Sequence, residues 1–410
     1  MVSAGRARGY LAAVTSALLM TSAAAQADVI AEWTATADAI ARNKQLTSPV
    51  HGRALALLHV AMFEAVNSID RRYAPYRLDL VADRNTSHEA AAASAAHAVL
   101  SVFYADQKVT LDSALATELD SIAEGPAKQR GIILGRKAAA DLMALRHADF
   151  DAAIDTYRPF TTPGVYVPTA LAVGHDVGRF TPWVMTSAAQ FRPAPPPALT
   201  SETWTRDVNE IREIGGHESM TRSAEQTSTA RFWFLTGART YNPIVQQVAS
   251  AKRMDLLDCA RLHALASMAG MDAYIAVFDA KYTYNFWRPV TAIRNADLSG
   301  NAGTPRDASW LPLGETPLHP EYPCAHCITS AAIAAVLSGA VGDGSGEITL
   351  TSPTAPGVTR RWTRLSDYSN EVSNARIWAG FHYRFSTEVG KEMGRKIGEL
   401  TVSTQLRARR

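Results

Sequence analysis

The sequence predicts an all-α protein, a helical bundle whose two helical halves are joined by an irregular, proline-rich segment. Three observations carry this expectation. Apolar residues recur at helical spacing in segment after segment, strand signals are confined to Glu347 to Thr351, and prolines and glycines crowd into residues 159–199. The 410 residues are 47% hydrophobic and 20% charged, an ordinary globular balance with ample apolar material for a large core. The 41 Lys and Arg are nearly matched by 39 Asp and Glu, leaving a formal charge of +2. Nucleic acid is therefore not an expected partner, because phosphate binding rests on a basic excess. The basic end, Arg407, Arg409 and Arg410, is expected to fray.

Residues 1–27 form the first element. Arg6 and Arg8 precede an apolar, small-residue run from Tyr10 to Ala25, and Ala25-Gln26-Ala27 offers a small-x-small cleavage site. That is the pattern of a signal peptide, and it predicts an exported protein, periplasmic or secreted. Cleavage removes two arginines and brings the formal charge to zero. No later stretch reaches the ~18 apolar residues of a membrane span.

Residues 28–158 make the N-terminal helical half. Ala54, Leu57, Leu58, Ala61, Met62, Ala65 and Val66 fall at helical spacing, and Leu55, Val60 and Phe63 make the opposite side apolar too, so this helix is expected to be buried all round. His59 and Glu64 within it read as a hydrogen-bonded core pair or a polar patch facing a groove. Thr86-Ser87-His88-Glu89 has capping-box spacing and opens an alanine-rich helix toward Phe103. Further helices are expected over Lys108 to Ile122 and Gln129 to Arg146. Residues 159–199 then wrap the surface, with Phe180, Trp183, Val184 and Phe191 seeking burial.

Residues 200–410 make the C-terminal half. Helices are expected over Glu202 to Ile214, Ala224 to Leu235 and Asp255 to Trp287, the last stopped by Pro289. Two more follow Pro323 and Ser386. Three cysteines, Cys259, Cys324 and Cys327, include a Cys-x-x-Cys without a second ligand pair for zinc or the βαβ setting of a redox domain.

Chemistry concentrates in three blocks of this half. In Lys281-Tyr-Thr-Tyr-Asn-Phe-Trp-Arg288-Pro289, Lys281 and Arg288 stand seven apart, which on a continuous helix puts both cations on one face. The second block is His319-Pro-Glu-Tyr-Pro323-Cys324-Ala325-His326, where a helix start lets an anion approach free N–H groups and places His326 as a proton donor or acceptor. In the third, Ala375-Arg376-Ile-Trp-Ala-Gly380-Phe-His382-Tyr-Arg-Phe-Ser386, Gly380 is expected to close one helix and Ser386 to cap the next, leaving His382 in the turn.

Together and in this order, the blocks resemble the superfamily of vanadium-dependent haloperoxidases and type-2 phosphatidic-acid phosphatases. Its pattern is K-x6-R-P, then P-S-G-H, then S-R-x5-H-x3-D. The first block matches fully. The second has Cys324 and Ala325 for Ser and Gly, and the third has Ala375 for Ser and Ser386 for Asp. The N-terminal stretch Ala54 to Asn67, with Arg72-Tyr-Ala-Pro-Tyr76, is similar to larger haloperoxidase-like members.

The resemblance implies that Lys281, Arg288 and Arg376, with the backbone of Cys324 and Ala325, bind a tetrahedral oxyanion. It implies His382 as the vanadium ligand or phosphoryl-accepting nucleophile, and His326 as the acid–base group. Loss of the Asp at 386 would remove a carboxylate that orients His382. On a continuous helix Cys259 lies 22 residues before Lys281, about 33 Å at ~1.5 Å per residue. Cys324 is then either free or paired with Cys327. The resemblance implies first a haloperoxidase-like enzyme that binds vanadate and oxidises halide with hydrogen peroxide. The alternatives are a soluble acid phosphatase acting on phosphate esters through a phosphohistidine, with phosphate in place of vanadate, and an inactive oxyanion-binding relative.

Overall fold

One long helix runs through the centre of the molecule. In the structure, a computed structural model that describes residues 29–147, 157–344 and 346–409, it spans Leu256–Tyr284 (α9) and is continuous, as expected. Asp255 caps its start, accepting the Asp258 N–H, and alanines and glycine along it let neighbours pack on every side. The predicted signal peptide lies outside the described residues.

Before α9 come residues 29–43 (α1), Ser48–Asp70 (α2), His88–Phe103 (α3), Lys108–Asp120 (α4), Pro126–Leu145 (α5), Glu202–Ile214 (α6), Ala224–Phe232 (α7) and Ala238–Ala251 (α8). After it come Pro289–Arg294 (α10), Ala325–Val341 (α11), Leu365–Trp378 (α12) and Arg384–Thr404 (α13). An antiparallel hairpin of Ile348–Ser352 (β1) and Ala355–Trp362 (β2) precedes α12, with Ile348 opposite Trp362. The protein is all-α, as the sequence predicts, with this hairpin as its one sheet among the described residues. No helix among those residues is long and apolar enough to cross a membrane.

The main hydrophobic core takes in α2, α3, α9 and α11, and a second, aromatic cluster gathers Trp204, Phe286, Trp287, Tyr322, Tyr383 and Phe385. α2 is buried all round, but His59 and Glu64 do not pair with each other. His59 Nε2 meets Thr34 Oγ1 at 2.8 Å and Nδ1 meets Ser267 Oγ at 2.6 Å. Glu64 Oε1 instead accepts the N–H groups of Tyr76, Arg77 and Leu78. Asp272 of α9 does the same for Trp183, Val184 and Met185, pinning the proline-rich segment to the core. Trp183 is fully buried there, and Phe180, Val184 and Phe191 pack beside it.

Close backbone approach sets the helix pairs that frame the site. Gly390, Gly394 and Gly398 form a stripe on α13 against α11, where an added Cβ would come within 2.7, 2.1 and 2.5 Å of the carbonyls of Cys324, Ile328 and Ala332. Any side chain on that stripe would drive α13 away from the first turn of α11.

Several expectations change. Ser87, not Thr86, caps α3, accepting the Ala90 N–H at 3.1 Å. Arg407 and Arg409 do not fray, since Tyr73 and Ala408 form a β-bridge and Ala74 and Arg409 donate backbone hydrogen bonds to Arg407 O and Arg72 O; Arg410 lies outside the described residues. Pro243 inside α8 masked that helix in the sequence, and Pro356-Gly357 masked β2.

Burial, with His263 and then His51 adding repulsion, holds His59 well below the ordinary imidazole value, and burial puts His263 at about 4. Both stay neutral in the fold, whereas unfolded imidazoles titrate near ~6.5. The unfolded state therefore binds more protons below that pH, and stability is lost as pH falls from about 6.5 toward 4. Each such group contributes a slope of up to ~1.4 kcal/mol per pH unit. Calorimetric melting of the wild type and His263→Gln over this range should differ in slope by up to one proton. Identical slopes would contradict a neutral, buried His263.

Candidate active site

The three sequence blocks meet at one place, held there by two left-handed residues. Asn285 ends α9 with φ 46° and returns its N–H to Lys281 O at 2.8 Å. The chain then reverses, so Arg288 sits not on α9 but at the N-cap of α10. Lys281 and Arg288 are thus brought together by a turn rather than by a shared helix face. Gly380, at φ 79°, follows the end of α12 and lets Phe381 N–H and His382 N–H both reach Arg376 O. His382 lies in this turn, as expected. Ser386 does not cap α13, which starts at Arg384 with Tyr383 at the N-cap; it stands inside the first turn.

Lys281, Arg288, Arg376 and His382 are each at most 1% exposed. Lys281 Nζ donates to Pro320 O and Glu321 O, both at 2.8 Å. Arg288 donates through Nε to His319 O at 2.9 Å and through Nη1 to Phe381 O at 3.0 Å. Arg376 Nη1 donates to Trp233 O at 2.8 Å while its guanidinium lies over the Phe381 ring, and its Nε is buried without a partner. No carboxylate lies within ion-pair distance of any of the three cations among the described residues. Burial, then Arg288, pushes the Lys281 ammonium well below its usual value. Burial lowers Arg288 to about 10 and, with Arg288 beside it, Arg376 to about 9. The cage is short of negative charge.

Donor-only and acceptor-only partners fix the tautomers of two histidines. Arg288 Nη1 can only donate, so His382 Nε2, 3.1 Å away, carries the lone pair. Its proton is then on Nδ1, directed at Glu321 Oε1 at 2.8 Å. Phe234 O can only accept, so His326 bears its proton on Nε2, at 3.3 Å, and leaves Nδ1 basic. Burial holds both rings well below the ordinary imidazole value; Arg288 reinforces this at His382 and Arg376 at His326. Both are neutral bases.

At α11 the expectation for Cys324 changes. Its N–H donates to Ser386 O at 3.3 Å, and its sulfur is bridged to Cys327 across a Cα separation of 5.3 Å. It therefore offers an oxyanion neither a thiol nor its amide. The helix ladder starts with Ile328 N–H to Cys324 O, which leaves the Ala325 and His326 N–H groups at the open helix end. Ala325 is the first residue of α11. Cys259 is buried on α9 and takes no part.

Two residues with large parts here were quoted in the second block without a role. Glu321 is fully buried and supplies the carboxylate to His382; burial raises it to about 7 against the pull of Lys281 and Arg288. His319 meets Arg288 Nη2 through Nδ1 at 2.9 Å. Their position one and three residues from Tyr322-Pro323 was visible, but nothing in spacing alone points a loop side chain at a histidine 61 residues later.

The helical framework and this cage define a bundle of the vanadium-haloperoxidase type. Residues 261–409 match the family described as the VCPO second helical-bundle domain. The vanadium chloroperoxidase of Curvularia inaequalis is 25% identical over 370 residues, covering 70% of this chain, and the chain spans 60% of that protein's length. The solved structure of a bacterial vanadium-dependent iodoperoxidase superposes with a TM-score of 0.81 at 24% identity, covering 94% of this chain and 98% of the other. A bacterial vanadium-dependent chloroperoxidase follows at 0.68 and 17%, covering 87% and 92%. Residues 261–409 therefore match the VCPO-type bundle, and the chain as a whole has the fold of these solved haloperoxidase structures.

A cage short of negative charge should be stabilised by a tetrahedral oxyanion. Orthophosphate at about a hundredfold over its Kd should raise folding stability by about 2.7 kcal/mol. Arg376→Lys, which trades a planar fork for a point donor, should weaken binding by about 1.5–3 kcal/mol, the worth of one charged hydrogen bond. Thermal melting against phosphate concentration checks both, and equal phosphate response in the two proteins would place Arg376 outside the cage.

Proposed function

We propose that this protein is a haloperoxidase that holds vanadate among Lys281, Arg288, Arg376 and the Ala325 and His326 N–H groups, and oxidises halide with hydrogen peroxide. The observation that carries this is the convergence of three buried cations, none within ion-pair distance of a carboxylate among the described residues, near a histidine whose Nε2 lone pair meets Arg288. The donor set suits the group. Arg376 Nε is an orphaned buried donor, the cations outnumber the one carboxylate, and the neutral Nε2 is the ligand type a vanadium centre takes. The names of the chloroperoxidase and iodoperoxidase relatives support vanadate over phosphate.

When bound, vanadate supplies the Lewis-acid centre that activates peroxide toward halide. The chain's own residues do the rest. Lys281, Arg288 and Arg376 neutralise the oxyanion with charge-assisted hydrogen bonds. His382 is held by Glu321 so that Nε2 points inward. His326 Nδ1, with its lone pair free at the open end of α11, would be placed to accept a proton from peroxide. Halide, peroxide and a halogen acceptor are all small molecules. We also infer export, on the leader pattern of residues 1–27, and the Cys324–Cys327 bridge supports an oxidising compartment.

The test is a parallel assay of the vanadate-loaded protein with peroxide and iodide, bromide or chloride, and of the phosphate-free protein with a phosphate monoester. Halide oxidation should appear, be lost in His382→Ala, and fall by about 10²–10⁴-fold in His326→Ala. Ester hydrolysis without halide oxidation would overturn the assignment in favour of a phosphohistidine phosphatase, and activity retained in His382→Ala would overturn both.

A further inference from the structure

We propose that Glu321 is the positioning residue for His382 and that Ser386 is the small residue that makes room for it, so that the two positions act as one coupled pair. The inference rests on His382 Nε2 being the atom that meets the oxyanion.

Glu321 ties all three blocks together. Its backbone N–H donates to Phe286 O at 2.8 Å and its carbonyl accepts from Lys281 Nζ at 2.8 Å, which binds it to the first block. Its side chain crosses to the third block, where Oε1 accepts His382 Nδ1–H at 2.8 Å and Tyr383 N–H at 3.1 Å. His382 and Tyr383 therefore both hang on one oxygen. Without it, the imidazole could exchange tautomers or rotate, and Nε2 would cease to present its lone pair to the cage.

The other oxygen explains residue 386. Glu321 Oε2 and Ser386 Oγ are both fully buried, and neither meets another hydrogen-bond partner among the described residues. The serine hydroxyl lies against the Glu321 carboxyl. Ser386 is also fixed from outside, since its carbonyl receives Cys324 N–H from α11. An aspartate at 386 would thrust a second carboxylate into the space that Glu321 already fills. Two carboxyl groups in one sealed pocket would crowd each other and compete for the single His382 Nδ1–H. The carboxylate can thus come from the loop or from α13, but not from both. In this chain it comes from the loop.

The experiment compares four proteins: wild type, Glu321→Ala, Ser386→Asp and the double variant Glu321→Ala/Ser386→Asp. Orthovanadate and orthophosphate affinities are read by calorimetry, and the His382 ring tautomer by 15N chemical shifts, neither of which requires turnover. Glu321→Ala should weaken anion binding by about 10–100-fold and mix the His382 tautomers. Ser386→Asp alone should also weaken binding, whereas the double variant should return to near the wild-type affinity with Nδ1–H restored. A purely structural role for Glu321 would not be rescued by a carboxylate from another helix. If Glu321→Ala does not fold, Glu321→Gln, which keeps the volume and one acceptor oxygen, takes its place, paired with Ser386→Asp in the same way. A double variant as weak as the Glu321 variant alone would overturn the pairing, and so would unchanged affinity and tautomer in that variant. Halide oxidation by the wild type is measured beside these: its absence would sink the haloperoxidase assignment while leaving the affinity and tautomer results to decide this one.

Discussion

Burying positive charge without its counter-charge is the constraint on which the rest of this structure depends. Desolvating an ion costs several kcal/mol even after relaxation, and Lys281, Arg288 and Arg376 are all out of water. The scaffold meets part of that cost with backbone carbonyls: Pro320 and Glu321 for the lysine, His319 and Phe381 for one arginine, Trp233 for the other. Carbonyl dipoles orient the donors but cancel no charge. The oxyanion proposed above would supply that missing charge, which would link stability to chemistry through a single deficit.

Holding such a cage requires rigid approach of segments far apart in sequence. The glycine stripe of α13 brings it onto α11 at backbone contact, which is what lets Ser386 O reach Cys324 N–H. Asn285 and Gly380 reverse the chain where no right-handed residue could, and each reversal puts a functional side chain at its far end. The Cys324–Cys327 bridge closes the first turn of α11, against which Gly390 of α13 packs. In the proposed function, the oxyanion would meet that helix end through the amides of Ala325 and His326.

Much of this was legible in the sequence, for reasons that differ by element. Apolar spacing placed a buried helix over Ala54 to Val66, within the observed Ser48–Asp70, and the long run read as Asp255 to Trp287 is the observed Leu256–Tyr284 to within three residues at either end. α8 and β2 escaped because Pro243 and Pro356-Gly357 break the local pattern while tertiary packing holds the element. The clamp residues could be named because they are charged, aromatic-flanked and fixed in order. Their geometry could not: Lys281 and Arg288 share a helical spacing that the left-handed Asn285 cancels. Glu321 shows the deeper limit. The absence of Asp at 386 suggested an unsupported histidine, yet the needed carboxylate arrives from a loop 61 residues earlier, a substitution visible only in three dimensions.

The central claim is that the buried charge deficit exists to hold an oxyanion against His382. Crystals grown with orthovanadate and measured near the vanadium absorption edge test it most directly. The account predicts one anomalous peak per chain, within bonding distance of His382 Nε2 and ringed by Lys281, Arg288 and Arg376, with the Arg288–His382 hydrogen bond replaced by contacts to the anion. A well-ordered cage with no peak, or a peak that leaves His382 Nε2 still paired to Arg288, would contradict it.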